Sequence, residues 1–115
     1  MATFVALTSA TRSKGESIVF NVQKCDALAV GVNVTAATGT SPTLNVFVEM
    51  LGATGVWYSV WAPAALTGAA STFTTIGPTA ATPSLVMGTM RFRYVVGGTV
   101  TPSFTFSAFV QGREL

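Results

Sequence analysis

Apolar residues recur at every second position in five separate runs of this chain, and that period fixes the kind of structure it can build. Ile18, Phe20 and Val22 share one face of the first run. Leu28, Val30, Val32 and Val34 form a second stripe, alternating with Ala27, Ala29, Gly31, Asn33 and Thr35. Leu44, Val46, Val48 and Met50 form a third, alternating with Thr43, Asn45, Phe47 and Glu49. Met90, Phe92, Tyr94 and Val96 form a fourth, and Phe104, Phe106, Ala108 and Val110 a fifth. A two-residue period places the apolar set on one side of a pleated strand. The β-branched and aromatic content of these runs reinforces the strand reading. Weaker strand signals cover residues 3–8, 56–61 and 71–76.

Glycine and proline punctuate the runs. Lys14-Gly15, Thr38-Gly39-Thr40-Ser41-Pro42, Leu51-Gly52-Ala53-Thr54-Gly55, Gly77-Pro78, Thr82-Pro83 and Gly97-Gly98-Thr99 all read as strand breaks. Gly supplies positive φ there, and Pro removes a donor. Residues 62–70 read as a loop or a helical turn, and no amphipathic helix of useful length appears. About eight short strands separated by turns describe an all-β fold: one antiparallel β-sandwich or jelly roll. The length of 115 residues suits a single domain. Residues 15–115 are expected to form the sandwich. Residues 1–14 are expected to be an N-terminal arm, which could reach a neighbouring subunit, or an edge strand.

Composition matters because of what the outward positions lack. Only 9% of the residues are charged, with six basic against four acidic and a net charge of +2; an ordinary soluble domain carries about 25%. Several positions opposite the main stripes are apolar, namely Val19, Ala29, Phe47, Val95 and Phe109, with Trp61 added to them. Local bulges or scattered exposed residues are one explanation. A subunit interface is the other, because interface cores are rich in aromatics and poor in charge. Phe47 and Phe109 are the leading candidates, followed by Val95, Val19 and Trp61. Arg91 and Arg93 project from one strand face, either to meet acidic groups of a neighbouring subunit or as a solvated guard of a sheet edge. Trp57 is expected to pack in the core.

Chemistry is poorly supplied. There is no histidine, which removes the commonest general base and metal ligand. Glu16, Asp26, Glu49 and Glu114 show no spacing of an acid–base pair, and no nucleophile, phosphate or dinucleotide motif occurs. The single cysteine, Cys25, allows no intrachain disulfide and reads as a small buried residue. No catalytic residue, cofactor or metal is expected. The basic residues are dispersed, which speaks against nucleic-acid binding. No stretch is long enough for a signal peptide or a membrane helix.

Three segments together resemble a known group. They are Val34-Thr-Ala-Ala-Thr-Gly-Thr-Ser-Pro-Thr-Leu-Asn-Val-Phe-Val-Glu49, Gly55-Val-Trp-Tyr-Ser59 and Met90-Arg-Phe-Arg-Tyr-Val-Val-Gly-Gly-Thr-Val-Thr-Pro-Ser-Phe-Thr-Phe106. Their order resembles small β-sandwich structural proteins of tailed-bacteriophage virions. The likeness runs from about Ser17 to Val110. It departs at Ala53-Thr54-Gly55, where the group carries an acidic Asp-Gly turn, and at the apolar insertion Trp61-Ala-Pro-Ala-Ala. The resemblance implies a non-enzymatic virion component, foremost a capsid decoration or cement protein. Such a protein forms a homo-oligomer, typically a trimer, on the outer head surface and bridges capsomers of the major capsid protein. Another virion part (head-spike base, head–tail connector or tail component) is the first alternative, and a carbohydrate- or receptor-binding β-module the second.

Overall fold

The computed structural model describes residues 1–83 and 85–114, and within them the chain is all-β. Seven strands are present among the described residues: β1 (Ala2–Arg12), β2 (Glu16–Asn21), β3 (Cys25–Leu51), β4 (Trp57–Trp61), β5 (Ala70–Gly77), β6 (Thr82–Pro83) and β7 (Thr89–Glu114). No helix there is long and apolar enough to cross a membrane.

Two of these strands organise the rest. β3 and β7 are 27 and 26 residues long. They pair antiparallel along nearly their whole length, from Cys25 opposite Glu114 to Met50 opposite Met90. The result is one long ribbon, and it is bent in the middle. The pairing shifts around Thr40, between Thr38 and Thr43. Gly39, Ser41, Gly98, Val100 and Thr101 all take positive φ at this corner. Such angles turn a strand sharply, and Gly tolerates them without a Cβ penalty. At Gly98 a Cβ would come within 3.0 Å of the Pro42 Cα, so the two sides of the corner nest backbone to backbone.

Each half of the ribbon seeds one layer. The first half, residues 25–38 of β3 with 103–114 of β7, is flanked by β1 beside β7 and by β5 beside β3, with β6 parallel to β5. The second half, residues 43–51 with 89–97, is flanked by β2 beside β7 and by β4 beside β3. The bend folds the second layer onto the first as a two-layer sandwich of jelly-roll type.

All five apolar stripes read from the sequence face inward. Val30, Leu44, Val48, Ile76, Met90, Phe92, Phe104, Phe106 and Val110 are completely buried. Phe4 of β1 stacks on Phe20 of β2 at 5.0 Å, which joins the layers at one side. Cys25 is buried and unbonded, and burial pushes its thiol pKa up.

The structure refines three expectations. The eight runs become seven strands: Thr38–Pro42 and Gly97–Thr99 are corners inside β3 and β7 rather than breaks, which leaves six, and β6 adds a seventh. Residues 62–69 hold no helix; Leu66 instead makes a two-way backbone bridge with Leu44 at 2.8 and 2.9 Å. Residues 2–12 form one continuous strand on β7, longer than the run 3–8. The pairing of β1 with β7 carries two bulges, which kink β1, and the Arg12 guanidinium donates to the carbonyls of Thr8, Ala10 and Phe106. Both devices discourage strand addition there.

Candidate functional site

The outward residues of the two layers make two surfaces of different chemistry. On the first layer, register partners share a face, so Ala29 stands beside Gln111 and Thr75, and Asn33 beside Ser107 and Ser71. At the centre lies Gly31, whose partner is Phe73 on one side and Phe109 on the other. With no side chain between them, the rings close over the glycine, their centroids 6.4 Å apart. Phe109 covers the space where a Cβ of residue 31 would stand; aromatic cover of a strand glycine restores the packing it lacks. Phe73 remains 62% exposed. No charged side chain interrupts this face between Thr105 and Gln111 of β7 or between Ala27 and Asn33 of β3. Charge returns only at its end, where Arg113 and Asp26 pair through two hydrogen bonds. That pairing holds the Asp26 carboxyl below its usual range.

The outer face of the second layer is basic and aromatic. Phe47 lies opposite Arg93, and Glu49 opposite Arg91. The Nε of both arginines donates to Glu49 Oε1, at 2.7 Å from Arg91 and 2.9 Å from Arg93. Arg93 adds a second bond to Oε2 at 3.3 Å. Each guanidinium also lies over a ring, Arg91 on Trp57 at 4.2 Å and Arg93 on Phe47 at 4.1 Å. The order across the face is therefore Phe47, Arg93, Glu49, Arg91, Trp57. Hydrogen bonds from Arg93 hold the Glu49 carboxyl below its ordinary range; burial opposes the shift and Arg91 adds to it. The cluster keeps one net positive charge. Val19 and Val95 flank it, 58% and 39% exposed.

The sequence-predicted residues thus divide. Phe47, Val95, Val19, Arg91 and Arg93 meet on the second layer, while Phe109 lies on the first. Trp61 is not on an outer face. A bulge between Val48 and Glu49 sets it opposite Val48, where it packs against the core. Trp57, expected inside, is outside beneath Arg91 because its register partner is Leu51. Phe73 and Glu49 were missed. Thr74 and Ile76 point inward, so the alternation around Phe73 carried the signal that it points out. Among the described residues no three acidic, Cys or His side chains gather as metal ligands.

No family model matches the sequence, and no curated protein matches it. Solved structures do share its architecture. A CBM4 structure superposes with a TM-score of 0.52 at 10% identity, over 86% of this chain and 61% of that one. Its likeness is one of fold, and the chain spans less than two thirds of it. Infectious bursal disease virus chains align more loosely. The Gx strain gives a TM-score of 0.47 at 17% identity over 94% of this chain and 32% of that one. The T13 viral particle gives 0.47 at 17%, over 98% and 30%.

Proposed function

We propose that this chain is a non-enzymatic structural subunit of a tailed-phage virion, a capsid decoration or cement protein that self-associates through the outer face of its first layer. The observation that carries the proposal is the uncharged surface centred on Phe73, Gly31 and Phe109. Desolvating it costs no ionic hydration, and its centre is aromatic, the chemistry of an interface core. The trimeric state, the position on the outer head surface and the major capsid protein as partner follow from the motif resemblance. Bridging of capsomers would then act by added interface area, with several contacts per oligomer reinforcing one another. A glycan-binding module is less well supported. Phe47 and Trp57, the aromatic residues of the second face, each already carry a guanidinium on one side.

Light scattering on the purified chain, paired with electron microscopy of reconstituted heads, tests the proposal. An oligomer is expected, dissociated by Phe73→Asp combined with Phe109→Asp while the β-sheet circular dichroism is retained. A monomer at millimolar concentration with no affinity for phage heads overturns it.

A further inference from the structure

The second layer's outer face holds the chain's densest positive charge, and that charge is only half neutralised. Two guanidiniums share one carboxylate. Arg91 uses its Nε on Glu49, so among the described residues both of its Nη groups are without a hydrogen-bond partner. Its plane is fixed twice, by the Glu49 bond and by the Trp57 ring. A planar guanidinium held this way is preorganised to donate in a fork to a carboxylate. The side chains of Arg91 and Arg93 are 21% and 31% exposed, so the donors reach solvent.

The chain's own acidic side chains are already engaged. Asp26 pairs with Arg113, Glu114 with the N-terminal amine, and Glu49 within the cluster. Glu16 accepts the Tyr94 hydroxyl proton at 3.1 Å. A second copy of this chain would therefore bring few free carboxylates, and an isologous contact would set one positive cluster against another. The complementary partner is a different molecule.

We infer that the Arg91–Arg93 face docks an extended acidic segment of another protein, one carboxylate bridging the Arg91 Nη groups. Val19 is the register partner of Arg91, so exposed apolar surface lies directly beside the charge on the same face. A nucleic acid fits less well. Its phosphates need several clustered cations and its bases free ring faces; here one net charge is available and guanidiniums occupy a face of both rings. This inference does not depend on the virion proposal and concerns the opposite surface.

The test is titration of the intact protein with the peptide Glu-Val-Glu-Val-Glu, capped at both ends, followed by the arginine Nε–Hε cross-peaks and Trp57 fluorescence. Saturable shifts at Arg91 and Arg93 are expected, with a dissociation constant of roughly 0.1–1 mM. Val19→Glu places a carboxylate beside Arg91 and should weaken the peptide at least about fivefold, an effect of roughly 1 kcal/mol. Val19→Gln should not. Val19 is exposed, so both variants fold. Three results overturn the inference: no saturable shift by about 5 mM peptide, equal binding of the Gln-Val-Gln-Val-Gln peptide, or tighter binding of an oligothymidylate of equal charge.

Discussion

Tyr94 and Phe106 belong to the same strand, twelve positions apart, yet their rings meet edge to face at 5.1 Å across the core. Only a strand folded back over itself permits that contact. Tyr94 also donates its hydroxyl proton to Glu16 at 3.1 Å; burial, and then that bond, raise its pKa. Tyr94→Phe should cost about 1 kcal/mol, the worth of one hydrogen bond. Tyr94→Ala should cost about 4 kcal/mol, because it empties the junction between layers. Urea unfolding measures both, and a cost for the alanine variant below about 1.5 kcal/mol would show that the layers do not meet there.

The Glu49 cluster predicts an order of costs. Glu49→Gln leaves two half-buried guanidiniums facing each other, and should destabilise by about 2 kcal/mol. Arg93→Gln removes a two-bond partner and should cost less. Arg91→Gln removes a single bond and should cost least, about 0.5–1 kcal/mol. Chemical denaturation of the three variants decides the order, and an Arg91 variant worse than the Glu49 variant contradicts the geometry.

The same carboxyl sets an acid limb. Its folded pKa lies below the ordinary glutamate value of 4.5. Its stabilisation is therefore complete above about pH 4.5 and is lost as pH falls through the lower folded value. Asp26, depressed by Arg113, acts in the same direction. Melting temperature should be flat from neutrality to about pH 5 and then fall. In Glu49→Gln the fall should be shallower; an identical acid limb in that variant would remove Glu49 as its source.

Gly31 is required by its neighbours rather than by its backbone angle. Gly31→Val should lift the Phe109 ring off the sheet and separate it from Phe73, at a cost of about 1–3 kcal/mol. If the first layer's face is the self-association surface, the folded variant should also lose its oligomer in light scattering. An unchanged oligomer would place the interface elsewhere.

The ribbon corner carries a local strain that can be relieved. Val100 is 73% exposed with φ at 58°, an unfavourable angle for a β-branched residue. Val100→Gly should stabilise by about 1 kcal/mol. Gly98→Ala, at φ 123° and against the Pro42 backbone, should destabilise by about 2 kcal/mol. Thermal melts of this pair check the corner, and a stabilised Gly98→Ala would refute it.

Alternation alone revealed the fold class and almost the whole core, since a two-residue period leaves one choice of face once the core side is known. Ile18, Leu44, Phe92 and Phe106 fell where their runs placed them. What alternation could not reveal was continuity. Gly39 and Pro42, or Gly98 and Pro102, end a strand in one context and bend it in another, and only the partner strand decides. Trp57 and Trp61 exchanged places for a related reason: one bulge between Val48 and Glu49 shifts their parity, and bulges leave no reliable trace in a five-residue strand. Val19, Phe47, Val95 and Phe109 were legible as outward residues, but their division between opposite faces depends on how the ribbon folds. Glu49 was read as an isolated acid because its partners lie some forty positions away.

Because β3 finds its main partner only in β7, residues 25–51 wait for the ribosome to deliver residues 89–114 before their ladder can close. Through that interval the β7-facing edge of a long apolar strand, which β4 and β5 can cover only on its other side, stands open to its siblings on neighbouring chains. Refolding yield should therefore fall steeply with protein concentration, even though the finished molecule guards its β1 edge.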